Sequence, residues 1–348
     1  MIVGWKAVRC WFWPFVKSRL QPHSLRPVLS FLFTDLACNY RCYYCYASHV
    51  PEDRGMTLEM AQKSVDWLHS LGCRVLAYMG GEPLVRKQFI LDVTRYARQR
   101  GLYVYLPTNG ALLDEAFIDE AADAGVDVVN LAVDCIDPKP GLPKALNRVA
   151  RQYELLLEKS AKDKFLVMFN VNITPRNIED VKELTEIAYR DRINVDYHVL
   201  EPPLGQMKHF RRTDDEIGFL SEDYQKVDEL LDWLLEKYRR GYNIANSPQH
   251  FIAAKRFIRR QPICWDCRAG HNTLVIRTDG RLTPCFEYFD DEDDWGVVGD
   301  HKFERERLDA FKGKCNAHCL STCNFTSSYY YSFSTVLEWV LKYYLVRR

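Results

Sequence analysis

Six short apolar runs recur through residues 28–200: VLSFLF (28–33), RVLAYM (74–79), LYVYL (102–106), VDVVNLAV (126–133), FLVMFNV (165–171) and VDYHVL (195–200). They are rich in β-branched and aromatic residues, which suits strands covered on both faces. Between them lie amphipathic stretches such as LEMAQKSVDWLHSLG and IEDVKELTEIAYR, with apolar residues at every third or fourth position. Gly72, Gly101 and Gly125 follow such stretches as helix C-caps. Six consecutive β/α units predict a parallel sheet curved toward a barrel. Further on, SEDYQKVDELLDWLLEKYRRG (221–241) reads as one more amphipathic helix packed on the core. The segment NTLVIRT, DG, RLTPC reads as a β-hairpin.

In a parallel barrel the chemistry gathers on loops at the C-terminal strand ends. The unusual residues of this chain fall there. CNYRCYYC follows the first strand, MGGEP (79–83) the second and PTNG (107–110) the third. Asp134 follows the fourth, Asn170 and Asn172 end the fifth, and Glu201 ends the sixth. Cys38, Cys42 and Cys45 form a C-x3-C-x2-C run that fits one loop around one metal centre. Structural zinc takes four ligands, usually in paired C-x2-C units. An iron–sulfur cubane held by three thiolates keeps one iron open for chemistry.

This run, with Tyr44 just before the third cysteine, resembles the signature of the radical SAM superfamily over about residues 28–205. The resemblance implies a partial (β/α)6 TIM-like barrel, an α/β fold, carrying a [4Fe-4S] cluster on Cys38, Cys42 and Cys45. It also implies S-adenosylmethionine (SAM) bound at the open iron and cleaved reductively to a 5'-deoxyadenosyl radical. A GGEP-type turn in that family meets the methionine ammonium. Gly80 and Gly81 would allow close backbone approach, Glu82 would supply charge, and Pro83 completes the turn. Asn109, Asp134 and Asn172 would lie near the adenosine or the substrate. Glu201 is open to three readings: a base, a SAM contact, or the first residue of the EPPLG turn. No residue is assigned to catalysis.

A second cysteine group comprises Cys264, Cys267, Cys285, Cys315, Cys319 and Cys323. The spacing from Cys267 through Gly280 to Cys285 resembles SPASM/twitch auxiliary-cluster domains, and the preceding Cys264 makes a C-x2-C as in molybdopterin-precursor cyclases. The tail C-x3-C-x3-C departs from the full SPASM pattern. Six thiols suffice for one fully ligated auxiliary [4Fe-4S] cluster; two clusters with other ligands, or a zinc ribbon, stay open. Such domains imply a peptide or small-molecule substrate.

Composition adds little beyond exclusion. The 348 residues are 47% hydrophobic and 27% charged with no net charge, so the basic footprint of a nucleic-acid binder is missing. Clustered thiols point to metal ligation in a reducing compartment, while Cys10, Cys73 and Cys135 stand alone as buried small side chains. No window reaches a membrane span, and the start is a poor signal peptide. The expected location is cytoplasmic, either free or peripheral to the inner membrane face. Both ends are aromatic. Trp5, Trp11, Phe12, Trp13 and Phe15 interleave with Lys6, Arg9, Lys17 and Arg19. Phe333, Val336, Leu337, Val340, Leu341, Tyr344 and Leu345 form one stripe, followed by Arg347 and Arg348. These segments either pack across the barrel or lie at a membrane interface; the second reading points to a lipid or isoprenoid substrate. The expected organisation is a leader (1–27), a core barrel (28–220), an auxiliary iron–sulfur domain (221–330) and an amphipathic C-terminal helix (331–348). The resemblance further implies a reductant such as flavodoxin or ferredoxin, and anaerobic operation. The rival reading, an iron–sulfur electron carrier, explains neither GGEP nor the ordered strand-end residues.

Overall fold

The structure, a computed structural model, describes residues 5–22, 24–45, 55–162, 164–201, 218–289, 293–315, 318–329 and 331–340. All six expected strands form: β1 Leu29–Asp35, β2 Val75–Gly80, β3 Tyr103–Thr108, β4 Val128–Ala132, β5 Leu166–Ile173 and β6 Asn194–Val199. Neighbours pair in parallel throughout. The helices are α1 Trp5–Leu20, α2 Leu58–Ser70, α3 Lys87–Gln99, α4 Glu115–Ala124, α5 Ala150–Ser160 and α6 Ile178–Arg190, then α7 Tyr224–Arg239, α8 Pro248–Phe257, α9 Arg305–Cys315, α10 Thr322–Tyr329 and α11 Phe333–Val340. Capping side chains start several of them. Thr57 accepts from Met60 N ahead of α2, and Asp114 from Phe117 N ahead of α4. Gly125 ends α4 at φ 98°, the left-handed cap anticipated for it.

The hairpin also forms, as β7 Thr273–Ile276 and β8 Leu282–Thr283. It does not stand apart from the barrel. β7 pairs in parallel with β1, so one sheet runs β6-β5-β4-β3-β2-β1-β7-β8. A short antiparallel pair, β9 Gly296–Val297 and β10 Asp300–His301, completes the strands.

Alternation along β5 and β6 sets what the barrel holds. Val167, Phe169, Val171 and Ile173, with Val195, Tyr197 and Val199, are buried in the main core with the outer helices. Their sequence neighbours face inward and line a cavity. The pairing register groups those inward residues in rows. One row is Phe31, Ala77, Tyr105, Val128 and Leu166. Toward the C-terminal strand ends follow Pro107, Asn130, Met168 and Asn194, then Ala132, Asn170 and Asp196, then Asn172 and His198. The interior therefore runs from apolar below to polar above, mainly on the β4–β6 side.

α1 packs across the lower end. Lys6 pairs with Asp127 just before β4, Cys10 packs on Val75, Tyr103 and Val128, and the Trp11 ring meets Tyr105 edge-on at 6.5 Å. The barrel-packing reading of the leader is thus met for the buried face of α1. Among the described residues no helix is long and apolar enough to cross a membrane. Leu341, Tyr344, Leu345, Arg347 and Arg348 lie outside the described residues.

Candidate functional site

A cavity of about 560 Å³ runs from the cysteine loop to α1, within the size range of small-molecule sites. Its upper rim holds Cys38, Cys42, Cys45, Gly80, Gly81 and Glu82. Its lower end holds Leu29, Tyr103, Trp11, Phe12 and Phe15.

The GGEP turn is locked against the cysteine loop. Gly81 N donates to Asp35 O at 2.9 Å and Glu82 N to Ala37 O at 2.8 Å. A Cβ on Gly80, whose φ is 132°, would stand 1.9 Å from Asp35 O; one on Gly81 would stand 2.0 Å from Ala37 O. The close backbone approach expected of these glycines is thus to the chain's own loop, the segment leading into Cys38. Glu82 is 2% exposed. Its carboxylate accepts from Thr108 Oγ1 (2.7 Å), Asn109 N (2.8 Å) and Leu84 N (3.1 Å), tying the β2 and β3 turns together. Burial pushes its pKa up, against the pull of these donors. Asn109 in turn donates to Asn39 Oδ1 at 2.7 Å, inside the cysteine loop. Pro83 opens a short 3-10 turn capped by Glu82.

Opposite lies a second network. Tyr44 donates to Asp134 Oδ2 at 2.5 Å and accepts from Asn172 Nδ2 at 3.1 Å and Lys144 Nζ at 3.2 Å. Asp134 Oδ1 accepts from Asn172 N at 3.0 Å. The structure thus brings Tyr44, Asp134 and Asn172 together, with fully buried Asp134 acting through its partners. Lys144 was not anticipated. Burial opposes its charge; Asp134 first, and then Cys42, Cys45 and Cys38 when ionised, favour it.

Among the described residues, no three Cys, His, Asp or Glu side chains are already closed up to metal-ligating distance. The donor set of the loop still fits an iron–sulfur cluster. Burial raises Cys38 and pushes Cys42 up to about 12, while Lys144 beside them favours the thiolates. Each thiol lies within electrostatic reach of the others, and ligation would exchange their protons for iron. Soft thiolates beside a fixed cation suit that exchange.

The second cysteine group divides. Cys285 is raised by burial, then by Glu287, Cys267 and Cys315. Cys315 is pushed to about 11 by burial and by Cys267, and Cys319 feels Cys285. Cys264 is exposed. Cys323 lines the barrel cavity, where its neighbours in charge are Asp196, Glu201 and Glu287. Glu201 is more than a turn residue. It accepts from Thr322 N (2.8 Å) and Thr322 Oγ1 (3.0 Å) at the start of α10 and pairs with Glu287. Burial first, then Glu287, holds Glu201 well above the usual carboxyl range.

Sequence reasoning also passed over Asp196 and His198, whose Oδ2 and Nε2 lie 3.3 Å apart in the cavity wall, and Asn130 and Asn194. The last two keep a buried Oδ1 with no partner, an unmet hydrogen-bonding capacity in this wall. The signal was present in NVDYHV, where polar residues alternate with apolar ones.

Residues 36–188 match the Radical SAM superfamily. The chain is 25% identical over 272 residues to the AdoMet-dependent heme synthase of Methanosarcina barkeri, covering 71% of this chain and 73% of that protein. It is 26% identical to GTP 3',8-cyclase 2 of Pseudomonas aeruginosa, covering 78% and 83%. Among solved structures, Streptococcus suis SuiB bound to S-adenosylmethionine superposes with a TM-score of 0.59 at 15% identity, over 84% of this chain and 68% of that one. AdoMet-bound anSMEcpe gives 0.56 at 21% identity, over 80% of each. The two structures share the fold.

Proposed function

Since the chain belongs to the radical SAM superfamily, whose members are enzymes using a [4Fe-4S] cluster and SAM, we propose that it modifies an unactivated carbon of an amphipathic lipid or isoprenoid. One observation carries this reading: the cavity that starts at the cysteine loop continues down the barrel between apolar walls to the aromatic face of α1. Burying an apolar chain there yields about 25 cal/mol per Å² removed from water. A polar peptide would lose hydrogen bonds to water against the same walls without replacing them.

In this reading Cys38, Cys42 and Cys45 hold the cluster. The bound cofactors supply the reductive cleavage of SAM and the hydrogen-abstracting radical. The protein's own part is positional. Glu82 clamps the two turns beside the loop, and Tyr44, held by Asp134 and Asn172, fixes its far side. Lys144 offers a half-buried cation beside the thiolates. The carboxamides of Asn130, Asn170 and Asn194 face a polar end of the substrate, and the aromatic lower rows exclude water from its chain. Cys267, Cys285, Cys315 and Cys319 hold an auxiliary cluster, with Glu287 between it and the cavity.

The test is anaerobic release of 5'-deoxyadenosine by reconstituted protein with dithionite. An organic-solvent extract of cells should raise release above the SAM-only background, and the aqueous extract or a peptide pool should not. Stimulation by the aqueous or peptide fraction alone would remove the lipid reading.

A further inference from the structure

The outer face of α1 is unlike an ordinary solvent face. Its inner face does the packing: Cys10, Pro14, Phe15 and Ser18 are buried. Yet Phe12, at the edge of that face, is 42% exposed, and Trp13 and Leu20, away from the cavity, are 58% and 75% exposed. α11 adds Phe333 and Leu337, 57% and 58% exposed. The two helices meet through Phe15 and Phe333, whose rings lie 5.5 Å apart, and just ahead of α11 Tyr331 donates to Ser18 O at 2.8 Å. The exposed apolar groups thus lie on two helices that touch each other. Such surfaces mark interaction sites.

Charge says which kind. The first 34 residues hold Lys6, Arg9, Lys17, Arg19 and Arg26 and no acidic residue, in a chain of no net charge. Arg9 and Lys17 are exposed on α1 beside the aromatic groups, while Lys6 is engaged by Asp127. Basic side chains flanking exposed Trp, Phe and Leu on one helix face fit the headgroup region of an anionic bilayer. Position adds a further point. Phe12 lies in the exposed patch and also lines the lower end of the cavity.

We propose that the α1–α11 face docks on an anionic lipid surface and that the cavity's lower end, at Phe12, is the portal through which the apolar substrate enters. This rests on the lipid reading above and adds the route. The face orients the barrel with its base toward the bilayer and its cysteine loop away from it. An apolar chain then passes from membrane to cavity without crossing water.

The experiment is co-sedimentation of the reconstituted full chain with phosphatidylcholine vesicles, with or without phosphatidylglycerol. Binding should require phosphatidylglycerol and fall as salt screens the contact. Arg9→Gln and Lys17→Gln should each weaken it roughly 5-fold, the equivalent of about 1 kcal/mol per charge near an anionic surface. Trp13→Ser with Leu20→Ser should abolish binding while the melting temperature stays unchanged, since neither side chain lines the cavity or the core. Vesicles with brominated chains should quench wild-type fluorescence more than that of Trp13→Phe. Absence of sedimentation with phosphatidylglycerol at low salt overturns the proposal. So does equal sedimentation of the Trp13→Ser/Leu20→Ser protein, or a dimer that this variant disperses, which would make a second copy the occupant. The two readings separate cleanly. Lipid-stimulated 5'-deoxyadenosine release in detergent without vesicle binding sinks the docking alone. Vesicle binding without stimulation by any lipid fraction sinks the substrate reading and the portal with it, and leaves the docking.

Discussion

Glu82→Ala separates two roles that the sequence could not. A residue that only met the SAM ammonium would leave the SAM-free protein as stable as before. The geometry says otherwise. The Glu82 carboxylate is buried and accepts three hydrogen bonds of 2.7–3.1 Å, two of them from the β3 turn. Bonds to a charged acceptor are worth about 1.5–3 kcal/mol each, and truncation also strands the donors at about 1–3 kcal/mol apiece. These terms overlap, and removal of the buried charge recovers its desolvation cost. A net loss of about 2–4 kcal/mol follows, from the stranded neutral donors less the recovered desolvation. Glu82→Gln keeps one carbonyl acceptor but turns an amide toward a donor, so it should fall between. The assay is anaerobic urea unfolding of SAM-free protein, comparing midpoints at equal slope. A Glu82→Ala midpoint equal to wild type, with weakened SAM binding, would refute the clamp and restore the simpler contact.

Other consequences are equally direct. Gly80→Ala forces a Cβ to 1.9 Å from Asp35 O at φ 132°, so it should displace the loop before Cys38 and lower iron content; Gly101→Ala, with nothing within 4 Å of its Cβ, should cost only about 1–2 kcal/mol of left-handed strain and keep its iron. His271, held by Ser18 and Tyr331 where the two terminal helices meet, is lowered to about 4 by burial and nearby Arg268. Its folded pKa lies below the unfolded 6.5, so its contribution is complete above pH 6.5 and falls by about 3 kcal/mol as pH drops toward 4. His271→Asn should flatten that part of the stability–pH curve. For the auxiliary group, Ser at Cys267, Cys285, Cys315 or Cys319 should lower iron per chain. Ser at Cys264 or Cys323 should leave it unchanged, read by iron assay and electron paramagnetic resonance.

Much of this architecture is local and therefore legible. Strand and helix periods located all six barrel strands, and the spacing of Cys38, Cys42 and Cys45 carried the family. What escaped notice depends on contacts between distant residues. Lys144 sits in the segment after β4 and earns its place through Tyr44, 100 positions away. Pairing of β7 with β1 joins the hairpin to the barrel across more than 240 residues, and nothing in NTLVIRT announces it. Glu287, two residues after Cys285, gains its place only through Glu201, which β6 brings to it. Asp196 and His198 were missed differently. A run taken as strand with both faces covered does have both faces covered, but one face is a cavity wall, where polar side chains are tolerated. Attention to the period-2 polarity of NVDYHV would have found them.

The central claim is that an apolar chain lies inside the barrel. Photolabelling tests it most directly: a long-chain alcohol bearing a diazirine is irradiated with the reconstituted protein and SAM, and the adducts are mapped by mass spectrometry. The account predicts adducts on Tyr105, Val128, Leu166 and Met168 and on Trp11 or Phe12, lost when an unlabelled lipid competes. Adducts confined to exposed residues such as Trp13, Leu20 and Leu337, with none on the strands, would contradict it.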